Sequence, residues 1–336
     1  MKSAYLQKIR NLFFNLAYQT GISTPFRWAL AKNNDLVILM FHRVSDHVDP
    51  LFSPMPIASF RSLMEELVKT FRIIDIDSVS RLPDSPGPPF MALTFDDGYS
   101  DFIENAVPIL LELGIPVCNN ICPCLVDKKT PPWTQVLSAC LTSFEGKSLE
   151  LPDETNFEIS KPVDEEMFLE LCNHLYLVDD EDRTEWLDNL AVDLEVILDL
   201  YSLMTWDDIR SCIQNGFSIG SHSYTHRNLL QVKESKVLEI EISFSRQRIL
   251  DETGIAPSVF AFPNGLYNDR SLKVVEKSGY SIALLCDDKP TNIDIINNSD
   301  GLLLLPRINI NRTNWREEVL RSSGFHYNLK RITNPR

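Results

Sequence analysis

Short apolar runs of strand length recur along the chain, and most are followed by a stretch whose apolar residues repeat every three or four positions. Leu36–Phe41 (LVILMF) is continuously apolar, the mark of a strand buried on both faces. A helical pattern follows over Ala58–Thr70, then Ile73–Ile76 reads as a strand. The Pro-rich turn Pro83–Pro89 cannot be regular structure, and Met91–Phe95 is the next buried strand. Asp101–Leu113 is helical, with Gly114 placed to stop it as a C-cap glycine. Strands are then predicted at Pro116–Ile121, Phe217–Gly220, Ser258–Phe262, Ile282–Leu285 and Leu302–Ile308. Helices are predicted at Trp206–Asn215, Val232–Thr253 and Ser271–Gly279. Repeated βα units with right-handed crossovers give a parallel sheet, open or closed into a barrel.

Two regions depart from this rhythm. Between Val126 and Leu203 the alternation gives way to a stretch rich in Asp, Glu and Leu, helical around Glu165–Leu177 and Thr184–Leu200. It reads as an insertion between two strands. At the N-terminus, Leu6, Ile9, Leu12, Phe13, Leu16 and Ala17 fall at helical spacing with Lys2, Lys8 and Arg10 among them, which is the pattern of an amphipathic helix.

With 336 residues and 44% hydrophobic content the chain can fill a sizeable core. Its net charge of -15 and pI near 4.9 argue against a nucleic-acid partner, which would need a broad basic face. Seven cysteines, an odd number without dense spacing, fit a reducing compartment, so the expected location is cytoplasmic. Cys118, Cys122 and Cys124 cluster, but no paired CxxC follows to complete a four-ligand zinc site. The N-terminal helix lacks a signal-peptide core and cleavage site, and no segment reaches the ~18 apolar residues of a membrane span. Its basic residues leave two expectations: peripheral contact with the inner face of a membrane, or packing on the protein body.

Two short motifs carry the chemistry. Thr94-Phe95-Asp96-Asp97-Gly98-Tyr99 closes a buried strand with adjacent carboxylates, a costly arrangement unless a cation or donors stabilise it. Ser221-His222-Ser223-Tyr224-Thr225-His226 closes another strand, and histidines four apart on one turn can chelate one ion. Strand C-termini of a parallel barrel converge on one face. His222, His226 and one of the aspartates then form a 2-His-1-carboxylate shell open to water and substrate, with the other aspartate beside that water.

In that order, and each after a strand, TFDDGY and SHSYTH resemble the first two motifs of the polysaccharide deacetylases, the NodB-homology domain of carbohydrate esterase family 4. LVILMFHRV resembles the opening strand of the exopolysaccharide-biosynthesis members, and the resemblance runs from about Leu36 to about Ile310, apart from the insertion. It implies an α/β fold, a distorted (β/α) barrel with fewer than eight units. The expected organisation is an N-terminal amphipathic helical segment at 1–35 and a barrel at 36–325 carrying the insertion 126–203.

The resemblance further implies a divalent metal, with Zn²⁺ expected, held by Asp97, His222 and His226, and Asp96 as catalytic base. Ser223 matches the hydroxyl that steadies the motif's loop, and the backbone N–H of Asn264, in Ala261–Gly265, matches an oxyanion donor. Two family groups are missing: the arginine expected near Val259–Pro263 and the histidine of a Leu-x-His near Leu302–Ile310. Arg307 is the expected substitute for the arginine and His42 for the general acid, although a histidine at a barrel mouth also serves structure alone. The expected activity is hydrolysis of N-acetyl groups from an amino sugar in a polysaccharide or lipid-linked glycan, with an N-acetylated carbohydrate as partner. The alternatives are a related barrel amidohydrolase acting on a non-sugar amide or formyl group, and a carbohydrate-binding pseudoenzyme.

Overall fold

The apolar runs assemble into a parallel sheet that curls back on itself. Its strands are β1 (Asp35–Phe41), β2 (Phe90–Asp97), β3 (Cys118–Ile121), β4 (Ser218–Ser221), β5 (Val259–Ala261), β6 (Ile282–Leu285) and β7 (Leu303–Pro306). Each pairs in parallel with the next in that order. A last short strand, β8 (Ile308–Asn309), pairs in parallel with β1 through Leu39↔Ile308 and Met40↔Asn309. Only Arg307 separates β7 from β8, so the chain itself carries the sheet from its last strand back to its first. The result is a distorted, nearly closed barrel. This computed structural model describes residues 2–333 apart from 48, 50, 84–85, 199–200 and 312. Part of the expected Pro83–Pro89 turn and the end of the expected Thr184–Leu200 helix therefore lie outside the described residues.

Several elements differ from the sequence pattern. The run Leu302–Ile308 breaks at Arg307 because its first half pairs with β6 and its second half with β1. Of Ile73–Ile76, only Ile73 joins a strand, Arg72–Ile73; the chain then turns into a 3₁₀-helix, Ile76–Arg81, capped by the Asp75 side chain. Two long helices contain a π-helical turn, Phe102–Ala106 ahead of Val107–Leu113 and Ile240–Phe244 ahead of Ser245–Thr253. Such turns insert a residue into the helix and rotate the following face. Gly114 does cap its helix in the left-handed conformation, φ 64°.

Residues 126–203 follow β3 and a short helix, Pro123–Lys128. They form helices Trp133–Ser143, Glu165–Leu175 and Asp180–Asp193 and a small hairpin, Ser148–Glu150 with Asn156–Glu158. Leu137, Leu141, Phe168, Leu171, Leu175 and Leu187 build an apolar cluster among these elements. The segment leaves the barrel at the C-terminal end of β3 and returns at Leu203, which bridges to Tyr99 just beyond β2.

At the N-terminus, α1 (Lys2–Gln19) and α2 (Ser23–Lys32) precede β1. Phe14 and Ala17 of α1 pack on Leu320 and Phe325, and Arg10 pairs with the buried Glu317. Among the described residues no helix is long and apolar enough to cross a membrane.

Between the sheet and its helices, Phe41, Phe60, Phe95 and Phe102 form an aromatic stack with ring centroids 4.8–6.0 Å apart. All four are buried. Truncating Phe60 to Ala should cost about 3–5 kcal/mol through lost burial and the cavity left behind. The check is a lower denaturant midpoint with an unchanged slope.

Candidate metal and catalytic site

Strand register brings the two motifs together. Asp97 on β2 pairs with Ile121 on β3, and Ile121 pairs with Ser221 on β4, so the aspartates and the first histidine leave their strands at one level. Asp97 adopts φ 76° and Gly98 follows at φ 80°. A non-glycine residue in that region is strained, and the left-handed pair turns the chain sharply as it leaves the strand.

The histidines are delivered by a loop, where their spacing predicts a single helical turn. Residues 222–226 are not helical, and Ser223 (φ 63°) and His226 (φ 66°) both take left-handed backbone. The His226 N–H donates to Ser223 Oγ at 3.0 Å, so the Ser223 hydroxyl does hold this loop. The buried Glu241 carboxylate accepts from the backbone N–H groups of Tyr224 and Thr225 and from the Thr225 hydroxyl. His222 Nδ1 donates to the Ala261 carbonyl at 2.8 Å, leaving the Nε2 lone pair to face Asp97.

Ligand-capable atoms of Asp97, His222 and His226 all lie within 4.8 Å of one another, and all three residues are buried. Asp97 Oδ1 stands 3.4 Å from His226 Nε2 and 3.6 Å from His222 Nε2. Ligands about 2.0–2.1 Å from a tetrahedral ion stand about 3.3–3.4 Å from each other, so the spacing fits Zn²⁺. Asp97 Oδ1 has no hydrogen-bond partner although it is buried. Burial, and then the charge of Asp96, push the Asp97 carboxyl well above its ordinary range. Burial lowers both histidines, so their imidazoles are neutral, as metal ligands must be. The donor set fits a divalent cation.

Asp96 sits in the opposite situation. Arg307 Nη1 and Nη2 each donate to one of its oxygens at 2.8 Å, and Asn120 Nδ2 donates to Oδ1 at 2.8 Å. Burial would raise this carboxyl, but Arg307, by its charge and its hydrogen bonds, outweighs it and holds Asp96 below the usual carboxylate range. Asp96 Oδ2 is 3.8 Å from His222 Nε2. Its ionised form therefore borders the three-ligand cluster.

His42 follows β1, partly buried, with its ring edge-on to Phe52. Burial lowers it to about 4, against the opposing pull of Asp96. It is neutral near pH 7 and must receive a proton before it can give one. Asn264 stands exposed in the turn after β5 at φ 56°, and its Oδ1 accepts from the Tyr176 hydroxyl at 2.6 Å. Tyr176 lies in the 126–203 segment, so the insertion touches the turn that carries Asn264.

Two polar residues of this site do not stand out in the sequence. Asn120, on β3 opposite Asp96, is hidden within an apolar strand pattern, where a buried amide pair, Asn119-Asn120, is the available signal. Gly220 on the neighbouring strand makes room for it, because a Cβ there would collide with Asn120 Oδ1. Glu241, lodged between Ile240 and Ile242, carries the corresponding signal of an acid in an apolar helical stretch.

A family model described as polysaccharide deacetylase matches residues 155–283. The match spans the second motif and starts inside the segment 126–203. Among solved structures the chain is similar to the Streptococcus pyogenes deacetylase PplD in complex with acetate, at 17% identity and TM-score 0.57, covering 86% of this chain and 98% of that one. IcaB from Ammonifex degensii is similar at 15% identity and TM-score 0.56, covering 86% and 97%. The BpsB deacetylase domain from Bordetella bronchiseptica is similar at 19% identity and TM-score 0.51, covering 83% and 96%. A search of curated proteins finds no match. At these identities the structural likeness establishes the fold.

The geometry makes two predictions. Purified protein should bind one divalent ion, and His222→Ala or His226→Ala should lower occupancy, measured by elemental analysis. Arg307→Ala should destabilise the protein by about 3–5 kcal/mol near neutral pH, because it strands a buried charge. A depressed carboxyl contributes stability above its unfolded pKa of about 3.9 and loses it as pH falls. The gap between wild type and Arg307→Ala should therefore narrow below that pH in denaturation curves.

Proposed function

We propose that the chain, part of which matches a polysaccharide deacetylase family model, is a metal-dependent hydrolase removing N-acetyl groups from an amino sugar in a polysaccharide or lipid-linked glycan. Hydrolytic de-N-acetylation is its reaction class. The observation that carries the proposal is the pairing of a three-ligand cluster with an adjacent carboxylate held ionised by Arg307. Acetate in the PplD complex is the acid product such chemistry leaves. The resemblance of LVILMFHRV to the opening strand of the exopolysaccharide-biosynthesis members supports a place in exopolysaccharide synthesis. Buried free thiols support a reducing, cytoplasmic setting.

Asp97, His222 and His226 would hold the cation. When bound, a Zn²⁺ ion polarises the acyl carbonyl and acidifies water. Asp96, beside this cluster, accepts the proton of the attacking water on a carboxylate oxygen. Arg307 and Asn120 fix that carboxylate in one orientation, so its free electron pairs are aimed before substrate arrives. The Asn264 N–H donates to the developing oxyanion. Expulsion of the amine needs a proton. Once protonated, a carboxyl whose ordinary pKa is held this low is a strong acid, and the amine nitrogen is the base that takes its proton. His42, neutral at rest, relays a proton only after receiving one.

Acetate release from N-acetylated oligosaccharides and lipid-linked sugars, with defined metals added to stripped protein, tests the proposal. Release from formylated or cyclic amides alone would favour the non-sugar amidohydrolase. Metal binding without any turnover would favour a carbohydrate-binding role. Asp96→Asn should keep the metal and lose most turnover. Asn120→Ala should reduce kcat about 10- to 100-fold, the equivalent of a hydrogen bond to a charged group, with KM and metal content little changed. An equal rise in KM would assign Asn120 to substrate binding instead.

A further inference from the structure

The helix α1 is apolar on two sides. One side buries Phe14 and Ala17 against the C-terminal helices. On the other, Ile9, Leu12, Phe13 and Leu16 are 48–60% exposed. Their i, i+3, i+4, i+7 spacing gathers them into one stripe along the helix. On α2, Trp28 is 65% exposed, a large aromatic side chain of the kind that favours membrane–water boundaries.

Charge identifies the partner. The chain has 47 acidic and 32 basic residues, yet residues 1–34 contain five basic residues, Lys2, Lys8, Arg10, Arg27 and Lys32, and no acidic one. Arg10 is engaged by Glu317. Lys8 and Lys32 are exposed beside the apolar residues, with Lys32 Nζ 5.1 Å from the Trp28 ring centroid. Leu329, 46% exposed, belongs to the helix Phe325–Thr333 that packs on α1, and Lys330 and Arg331 follow it in sequence.

We propose that this face docks the protein on an anionic lipid surface, with α1 lying in the interface plane and Ile9, Leu12, Phe13 and Leu16 entering the acyl boundary. A helix with an apolar stripe flanked by Lys is built for that position, since lipid tails take the stripe while acidic headgroups take the ammonium groups. A second copy fits less well. Two-fold pairing through this face would bring one basic, acid-free segment against its twin.

The full chain is incubated with phosphatidylcholine vesicles, with and without phosphatidylglycerol, and sedimented. Wild type should pellet with the anionic vesicles and release at high salt. The double variant Leu12→Glu, Phe13→Glu should bind at least tenfold more weakly, with unchanged circular dichroism and melting temperature, and Lys8→Glu should bind more weakly than wild type. Equal pelleting of wild type and double variant would overturn the proposal. So would a wild-type dimer in solution that the double variant converts to monomer, since the stripe would then be a subunit interface.

Discussion

The site depends on the buried ion pair between Arg307 and Asp96. Taking both charges out of water costs several kcal/mol each, and attraction recovers this only when geometry is good and the remaining polar atoms are satisfied. Here Arg307 makes two parallel bonds to the carboxylate, its Nε donates to the Leu285 carbonyl and its Nη1 also reaches Thr94 Oγ1. Arg307 is also the single residue between β7 and β8. The place where the chain changes partner from β6 to β1 is thus the place from which the guanidinium reaches across the barrel mouth. Closure of the sheet and the charge state of Asp96 are one feature.

What the sequence revealed divides along physical lines. Buried strands were legible because a short, continuously apolar run bounded by turn residues must be covered on both faces, and Ile282–Leu285 matches its expected boundaries. TFDDGY and SHSYTH were legible because adjacent carboxylates and closely spaced histidines are expensive unless they work together. The break at Arg307 was not legible, since a strand that switches partner looks like one apolar run. Neither were the π-helical turns, because a pattern that repeats every three or four positions absorbs one inserted residue. Asn120 escaped because its role comes from strand register, through Asp96 opposite and Gly220 alongside, and register is a long-range property.

The segment after β3 is tied to the barrel by polar contacts: Asp127 accepts from Arg248, Asp180 stands 3.5 Å from Arg227, and Ser138 and Tyr201 both donate to Asp49. Its apolar cluster is assembled from its own helices, with Leu51 from the loop after β1 joining in. Tyr176 then reaches the Asn264 turn, and Leu203 returns the chain to Tyr99. Tyr201, Leu203, Ala139 and Leu198 also pack with Tyr99 and Cys122, which follow β2 and β3, so the segment meets the site through apolar contacts as well.

The two adjacent aspartates are driven in opposite directions, and this constrains what the pocket can be. Asp96 has three donor bonds and stays ionised; Asp97, one residue on, has a buried oxygen with no partner and a carboxyl pushed upward by burial and by Asp96 itself. A neutral Asp97 would relieve the repulsion, but its one proton could be shared with only one of the two neighbouring imidazoles, and the Asp97 and His226 sites would still hold a buried polar atom without a partner. A divalent cation satisfies all three acceptors at once, and it lets both carboxylates remain charged at that separation. The left-handed backbone at Asp97, Ser223 and His226 acquires a reason on the same account. Strain of that kind persists where surrounding structure enforces it, and here three strained residues lie in or beside the ligand set.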